Sequence, residues 1–88
     1  MKALFREAFL KDLGQIRDRD LRSRVGQMIK AVEAANSLDG LPQLKRLRGK
    51  GQFYRLRLGD YRVGISLEQD TVVFIRFLHR KEIYRYFP

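Results

Sequence analysis

The feature that most constrains the fold of this chain is a change of hydrophobic period near its middle. In the second half, apolar and polar side chains alternate with a period of two over residues 53–58 and again over 61–67. This is the pattern of β-strands with one buried face. Gly59-Asp60 lies between them as the two-residue connection of a tight hairpin. The second half is therefore predicted to be an antiparallel sheet, with a further strand over 71–78. The register of that strand stays open, because a loop of two residues and a loop of three would turn opposite faces toward the core.

The first half of the sequence shows helical spacing instead. Apolar residues recur three or four apart over 7–16 and again over 21–35, which predicts a short amphipathic helix and a longer one. Asp18 or Asp20 can cap the second helix. The two segments predict a helical hairpin that covers one face of the sheet, and the alternation over 2–5 is consistent with a short first strand.

The predicted fold class is α+β in two layers, with an N-terminal helical hairpin packed on a small antiparallel sheet of three to four strands. The length predicts one domain, 1–88, with no room for a second core. The chain has no cysteine and one histidine, so neither a disulfide nor a metal site is expected. No apolar run approaches the roughly 20 residues that span a bilayer, and a cytoplasmic protein without a membrane partner is expected.

Basic charge is concentrated in the middle of the chain. The formal net charge is +9, and residues 45–62 carry seven basic side chains against Asp60 alone. Such a field attracts polyanions, so nucleic acid or an acidic protein is the expected partner. The hairpin turn sets Arg57 opposite Arg62, with Arg55 two residues along, although opposed like charges cost up to about 1 kcal/mol. Since arginine donates bidentate hydrogen bonds to phosphate, this face is interpreted as an anion site; a merely solvated basic face is the alternative.

The C-terminal tail, residues 79–87, is a second cluster of candidate functional residues. Histidine is the side-chain type that changes charge near neutral pH, which makes His79 a candidate acid or base. Tyr84 is of the type that stacks on bases of single-stranded RNA. The alternatives are that His79 ends a strand without function and that Tyr84 and Phe87 are packing residues.

Three segments of the second half together carry a resemblance to a known family. They are YRLRLGDYRV at 54–63, TVVFIR at 71–76 and HRKEIY at 79–84, and KRLRG at 45–49 also fits. With these motifs the sequence resembles the RelE branch of the RelE/ParE toxin superfamily over essentially its whole length. The resemblance implies the toxin of a type II toxin-antitoxin pair, a ribosome-dependent endoribonuclease that cuts mRNA in the A site. In that family the ribose 2′-hydroxyl attacks the adjacent phosphate without a metal or another cofactor.

The resemblance also implies roles for individual residues. Arg57 and Arg62 would hold the phosphate, Arg80 would lie near the leaving oxygen, and Tyr84 would stack on a base. Arginine is a poor general base, so the base would be His79 or would come from the ribosome. The implied catalytic set is Arg55, Arg57, Arg62, His79, Arg80 and Tyr84. The residues expected to contact RNA or the ribosome are Lys45, Arg46, Arg48, Lys50, Arg76, Lys81 and Arg85.

A cognate antitoxin is the implied partner, besides the ribosome and mRNA. It should be acidic where it meets the arginines, and one of its segments should mask the basic face or push the tail aside. Two other functions stay open at this point: a ParE-like toxin of the same fold that acts on DNA gyrase, and a non-catalytic module that binds RNA or the ribosome.

Overall fold

The structure is a computed structural model that describes residues 1–49 and 51–88. Lys50, one of the expected RNA contacts, lies outside the described residues. The elements in chain order are β1 (Lys2–Phe5), α1 (Glu7–Gly14), α2 (Arg19–Ala34), β2 (Leu44–Arg46), β3 (Phe53–Leu58), β4 (Tyr61–Glu68), β5 (Thr71–His79) and α3 (Ile83–Tyr86). Within the described ranges, no helix is long and apolar enough to cross a membrane.

The sheet is mixed and has five strands in the order β1-β5-β4-β3-β2. The predicted antiparallel sheet of three to four strands is therefore wrong in number and in direction, because β1 pairs with β5 in parallel. Parallel partners are joined by a long crossover, and here almost the whole chain lies between them, so no local pattern indicates the pairing. β2 was missed because three residues are too few to show a period.

The predicted central hairpin is confirmed. Gly59 has φ +61°, a left-handed conformation that glycine adopts without strain. The turn sets Arg57 opposite Arg62 and Arg55 opposite Gly64. The register of β5, which the sequence left open, is set by a two-residue turn at 69–70 and by a bulge between Gly64 and Ile65.

The apolar face of the sheet and the two long helices form the main core. Phe9 of α1 lies 5.4 Å from the ring of Phe74 and 6.4 Å from that of Phe77, measured between centroids. The α2 residues predicted from their spacing are buried, and Asp18 caps that helix by accepting a hydrogen bond of 3.2 Å from the Leu21 N–H. Those α2 residues are Leu21, Val25, Met28 and Val32.

The helices differ from the predicted hairpin in their arrangement. α1 packs chiefly against β5, while α2 contacts β1. Phe9 of α1 packs against Phe74 and Phe77 of β5. The two helices therefore contact different strands of the sheet.

A third helix, α3, lies against β5 and was not predicted. Four residues are too few for a helical period to be detected. Its Ile83 and the following Phe87 are both buried. The tail therefore covers part of the sheet face that α1 and α2 leave open.

Candidate functional site

Three arginines of the central hairpin share the face of the sheet opposite α1 and α2. Arg57 and Arg62 are direct cross-strand partners, and Arg55 follows two residues along β3. The pKa of Arg62 is lowered from the ordinary arginine value, first by burial and then by like charges nearby. Those charges belong to Arg57, Arg55 and Arg80. Three other sequence-predicted arginines thus lie close enough to Arg62 for their charges to act on it.

The hairpin turn fixes the position of Arg62. Its Nη1 donates to the carbonyl oxygens of Gly59 at 2.8 Å and Tyr61 at 2.9 Å. Both bonds come from one nitrogen of a guanidinium that carries five N–H donors. The turn thereby orients the cation while the rest of its donor fork stays available to an anion.

Arg80 is held beside the same turn. Its backbone N–H donates to the Asp60 carbonyl oxygen at 2.8 Å, and its Nε lies 4.0 Å from Asp60 Oδ1. Both side chains are exposed, and ion pairs of this kind contribute at most about 1 kcal/mol. Asp60 therefore places Arg80 without burying or neutralising it strongly.

Tyr84, a candidate site residue from the sequence, lies next to one of these cations. Its side chain is 72% exposed, and the Arg55 guanidinium carbon lies 4.5 Å from the centroid of its ring. This is the distance of a cation–π contact. An exposed aromatic ring beside a cluster of guanidiniums is suited to a nucleotide, because the ring stacks on the base while the cations meet the phosphate.

A shallow depression of about 270 Å³ joins the arginines of the hairpin to the edge strand β2. Lys45 pairs with Arg55 across the strands and so shares its face. Sequence reasoning missed Gln43. Its backbone carbonyl oxygen accepts a hydrogen bond of 2.9 Å from the backbone N–H of Arg57. Gln43 lies in a loop, where no periodic pattern identifies it. The lining residues are Gln43, Leu44, Lys45, Arg55, Arg57 and Arg62.

His79 does not join this cluster. It pairs with Tyr61, whose ring packs against the core on the other face of the sheet. Its Nδ1 accepts a hydrogen bond of 3.2 Å from the Lys81 N–H. A neutral imidazole accepts through only one of its ring nitrogens. In His79 that nitrogen, Nδ1, already accepts a hydrogen bond in the turn that follows β5.

Two of the expected RNA contacts are not part of the arginine cluster: Arg46 lies on the other face, and Arg76 shares the face but is engaged by Asp12. Arg46 pairs with Tyr54 and so lies on the face opposite Lys45. Arg76 donates from Nε to Asp12 Oδ2 at 2.8 Å and from Nη2 to Asp12 Oδ1 at 3.0 Å. That hydrogen bonding raises the pKa of Arg76 further, against the opposing effect of burial. The remaining expected contacts, Arg48, Lys81 and Arg85, are exposed and do not line the depression.

No group of three or more histidine, aspartate or glutamate side chains among residues 1–49 and 51–88 could hold a metal ion. The carboxylate of Asp60, in the hairpin turn, is engaged with Arg80. The chemical capacity of the site in the described residues is therefore that of cations and an aromatic ring, which bind an anion and a base.

The chain is similar to known toxins over nearly its whole length. The family model of the ParE toxin of type II toxin-antitoxin systems, parDE, matches residues 3–84. Toxin RelE3 of Methanocaldococcus jannaschii is 43% identical over 89 aligned residues, which span 100% of both chains.

Solved structures show the same fold. The crystal structure of a RelB-RelE antitoxin-toxin complex from Methanococcus jannaschii matches with a TM-score of 0.82 and 40% identity, covering 97% of this chain and 99% of that chain. An archaeal RelE-RelB complex from Pyrococcus horikoshii OT3 matches with a TM-score of 0.72 over 90% of this chain and 93% of that one, at 22% identity, a likeness of fold alone.

These matches and the fold define the toxin of a type II toxin-antitoxin system. Within that class, the chain belongs to the RelE branch of the RelE/ParE superfamily. The resemblance noted from the sequence motifs is thereby confirmed.

Proposed function

We propose that this toxin is a ribosome-dependent endoribonuclease that cuts mRNA in the ribosomal A site. The observation that carries the proposal is the convergence of Arg55, Arg57 and Arg62 on one face of the sheet, with the exposed ring of Tyr84 beside them. Like charges this close repel each other in the free protein. A bound phosphate relieves the repulsion, so the face is better suited to an anion than to water.

The proposed reaction is an intramolecular transesterification. The 2′-oxygen of a ribose attacks the adjacent phosphorus, the bond from phosphorus to the 5′-oxygen breaks, and the products are a 2′,3′-cyclic phosphate and a 5′-hydroxyl. Arg57 and Arg62 stabilise the charge that develops on the non-bridging oxygens, as fixed donors do in other sites. Arg80 lies near the leaving 5′-oxygen, which takes up a proton from water, and Tyr84 stacks on a base.

The general base is assigned to the ribosome in this proposal. His79 lies on the other face of the sheet, and its Nδ1 already accepts the Lys81 N–H. The arginines stay protonated at neutral pH. A site that supplies charge stabilisation but no base cuts RNA only where another molecule accepts the proton of the 2′-hydroxyl, which accounts for dependence on the ribosome.

A cognate antitoxin is part of the same proposal, and the toxin would act in the cytoplasm, where ribosomes and mRNA are. The antitoxin is supported by the 40% identity of this chain to a toxin solved in a RelB-RelE antitoxin-toxin complex. We expect the antitoxin segment that meets the arginine face to be acidic, because opposite charge speeds association. The segment would mask the basic face or displace the tail that carries Tyr84.

The experiment is to incubate the purified toxin with programmed ribosomes and to map the mRNA ends. Cleavage inside the A-site codon is expected, with 5′-hydroxyl ends that can be labelled directly by a polynucleotide kinase. Arg62→Ala should lose this activity, whereas Arg19→Ala should keep it. Arg19 is a matched control because it is exposed at the start of α2 and its loss changes the net charge equally.

Other outcomes identify the alternative functions. Tight binding to ribosomes with intact mRNA would indicate a non-catalytic binding module. Intact mRNA together with inhibition of DNA supercoiling by gyrase would indicate a ParE-like toxin. Either result contradicts the proposed activity while leaving the family assignment in place.

A further inference from the structure

The position of Tyr84 is not explained by its own packing. Its side chain is 72% exposed, and it belongs to a helix of four residues. Helices this short are not stable by themselves. The orientation of Tyr84 must therefore be set by the other contacts of α3 and of the residues that follow it.

Those contacts follow one cross-strand row of the sheet. Arg55 of β3 pairs with Gly64 of β4, and Gly64 pairs with Arg76 of β5. The tail places one aromatic ring on each member of this row. Tyr84 lies 4.5 Å from the Arg55 guanidinium, and Tyr86 lies 5.1 Å from that of Arg76.

The centre of the row receives Phe87. A methyl group on Gly64 would come within 2.5 Å of the Phe87 ring, so only glycine leaves room for it. The same ring meets Phe53 edge-on, with 5.8 Å between centroids. Ile83 of α3 and Phe87, the extended residue that follows the helix, are both buried, so both face the sheet.

The two arginine contacts fix the rotation of the helix about its axis. Tyr84 and Tyr86 are two residues apart and so point in nearly opposite directions from α3. One ring meets Arg55 and the other meets Arg76, which places the helix between two guanidiniums. Loss of either contact would let the helix roll and would move the other ring.

Arg76 is itself held from α1. Asp12 is 9% exposed and accepts hydrogen bonds from Nε and Nη2 of Arg76. Its Oδ2 also accepts the Phe77 N–H at 3.0 Å. β1 pairs with β5 only over Thr71–Phe74. Beyond that range, the Asp12 carboxylate accepts the Phe77 N–H, as the carbonyl oxygen of a neighbouring strand would.

We propose that Asp12, Gly64 and Arg76 are positioning residues for Tyr84, which they place against Arg55 through Tyr86 and Phe87. The proposal rests on the proposed function insofar as Tyr84 stacks on a base of the mRNA. Arg76, expected from the sequence to contact RNA, thus acts within the protein.

The test uses Tyr86, because its side chain is exposed and can be replaced without opening the core. Tyr86→Leu removes the ring from Arg76, and Tyr86→Phe keeps it. Because the Arg55 guanidinium carbon lies 4.5 Å from the Tyr84 ring centroid, the ring current of Tyr84 should shift the NMR resonances of the Arg55 side chain. Tyr84→Leu defines the value without the ring. We expect the Arg55 shift in Tyr86→Leu to move toward that value and Tyr86→Phe to restore the position found in the unaltered protein.

Kinetics on programmed ribosomes give the second readout. Tyr86→Leu should lower the rate at saturating ribosome about tenfold, within the range that misplacement of a positioned group costs, while KM and the thermal midpoint change little. In the double variant with Tyr84→Leu, the Tyr86→Leu change should have no further effect, because the two act as a unit. Arg76→Lys, which keeps the charge but loses the fork to Asp12, should repeat the NMR result.

An unmoved Arg55 resonance in Tyr86→Leu would overturn the positioning role, and so would losses of rate that simply multiply in the double variant. If the unaltered toxin leaves mRNA intact on ribosomes, the proposed function fails instead. The NMR comparison still decides the positioning claim in that case, since it needs no substrate.

Discussion

The two faces of the sheet differ in what their side chains do for the protein. On one face, α1 and α2 cover an apolar surface in which Phe9, Val63 and Phe74 are completely buried. On the other face, a short tail covers part of the surface, and Arg57 and Arg62 remain as opposed like charges. Burial on the first face stabilises the fold, whereas the charge arrangement on the second is unfavourable for folding and suits an anion. Under the proposed function, the face that binds RNA is thus separated by one sheet from the face that carries most of the stabilising core.

The largest effect is expected from breaking the apolar face. Phe9→Ala should lower the free energy of unfolding by about 3 to 5 kcal/mol, the cost of removing a buried phenylalanine and leaving a cavity. Leu10→Ala is the neighbouring control, because Leu10 is 52% exposed. Surface changes of this kind stay within about 0.5 kcal/mol. Chemical denaturation measures both, and equal losses would contradict the placement of the core on this face.

A smaller effect is expected where the tail meets the basic face. Gly64→Ala drives a methyl group into the Phe87 ring and should destabilise by about 1 to 3 kcal/mol, as overpacking does. It should also release the tail and lower mRNA cleavage. Gly26→Ala in α2, where an added methyl meets nothing within 4 Å, should instead stabilise by up to about 1 kcal/mol. Denaturation curves of the two variants that coincide would show that the tail does not pack on Gly64.

Two adjacent basic residues of β2 lie on opposite faces of the sheet and so allow RNA binding by the two faces to be compared. Lys45 shares the face of Arg55, and Arg46 shares that of Tyr54. Binding of a non-cleavable RNA should weaken steeply with salt, because each phosphate contact releases counterions. Lys45→Ala should reduce the slope of log affinity against log salt by about 0.7, the value for one contact to single-stranded RNA, while Arg46→Ala leaves it unchanged. The opposite order would assign RNA to the helix-covered face.

The difference between the two faces could be predicted from the sequence where the pattern is local. Alternation over 53–58 puts Leu56 on one face and Arg57 on the other, and the Gly59-Asp60 turn fixes their partners. The structure places Tyr84 next to Arg55, and its role in the site stays a prediction.

What the sequence did not indicate depends on long-range contacts or on segments too short for a period. The parallel pairing of Phe5 with Phe74 joins opposite ends of the chain. The ion pair of Asp12 with Arg76 spans 64 residues. The face on which His79 lies follows from the register of β5, and the sequence left that register open.

The smallest effect concerns His79, for which the account expects no loss. His79→Gln keeps a side chain able to accept the Lys81 N–H, so single-turnover cleavage should have the same pH profile as in the unaltered toxin. If the variant slowed the reaction and removed its acidic limb, His79 would be the base and would have to reach the basic face on the ribosome.

The most direct test of the central claim is to measure the cleavage rate and the unfolding free energy of Arg62→Ala on the same preparation. We expect at least a roughly hundredfold loss of cleavage on programmed ribosomes, the scale for one lost charge-stabilising donor. We also expect a change in stability within about 1 kcal/mol, because relief of the repulsion with Arg57 offsets the two lost hydrogen bonds to the turn. A variant that cuts mRNA normally, or one whose loss of cleavage is matched by unfolding, would contradict the separation of function and stability between the two faces.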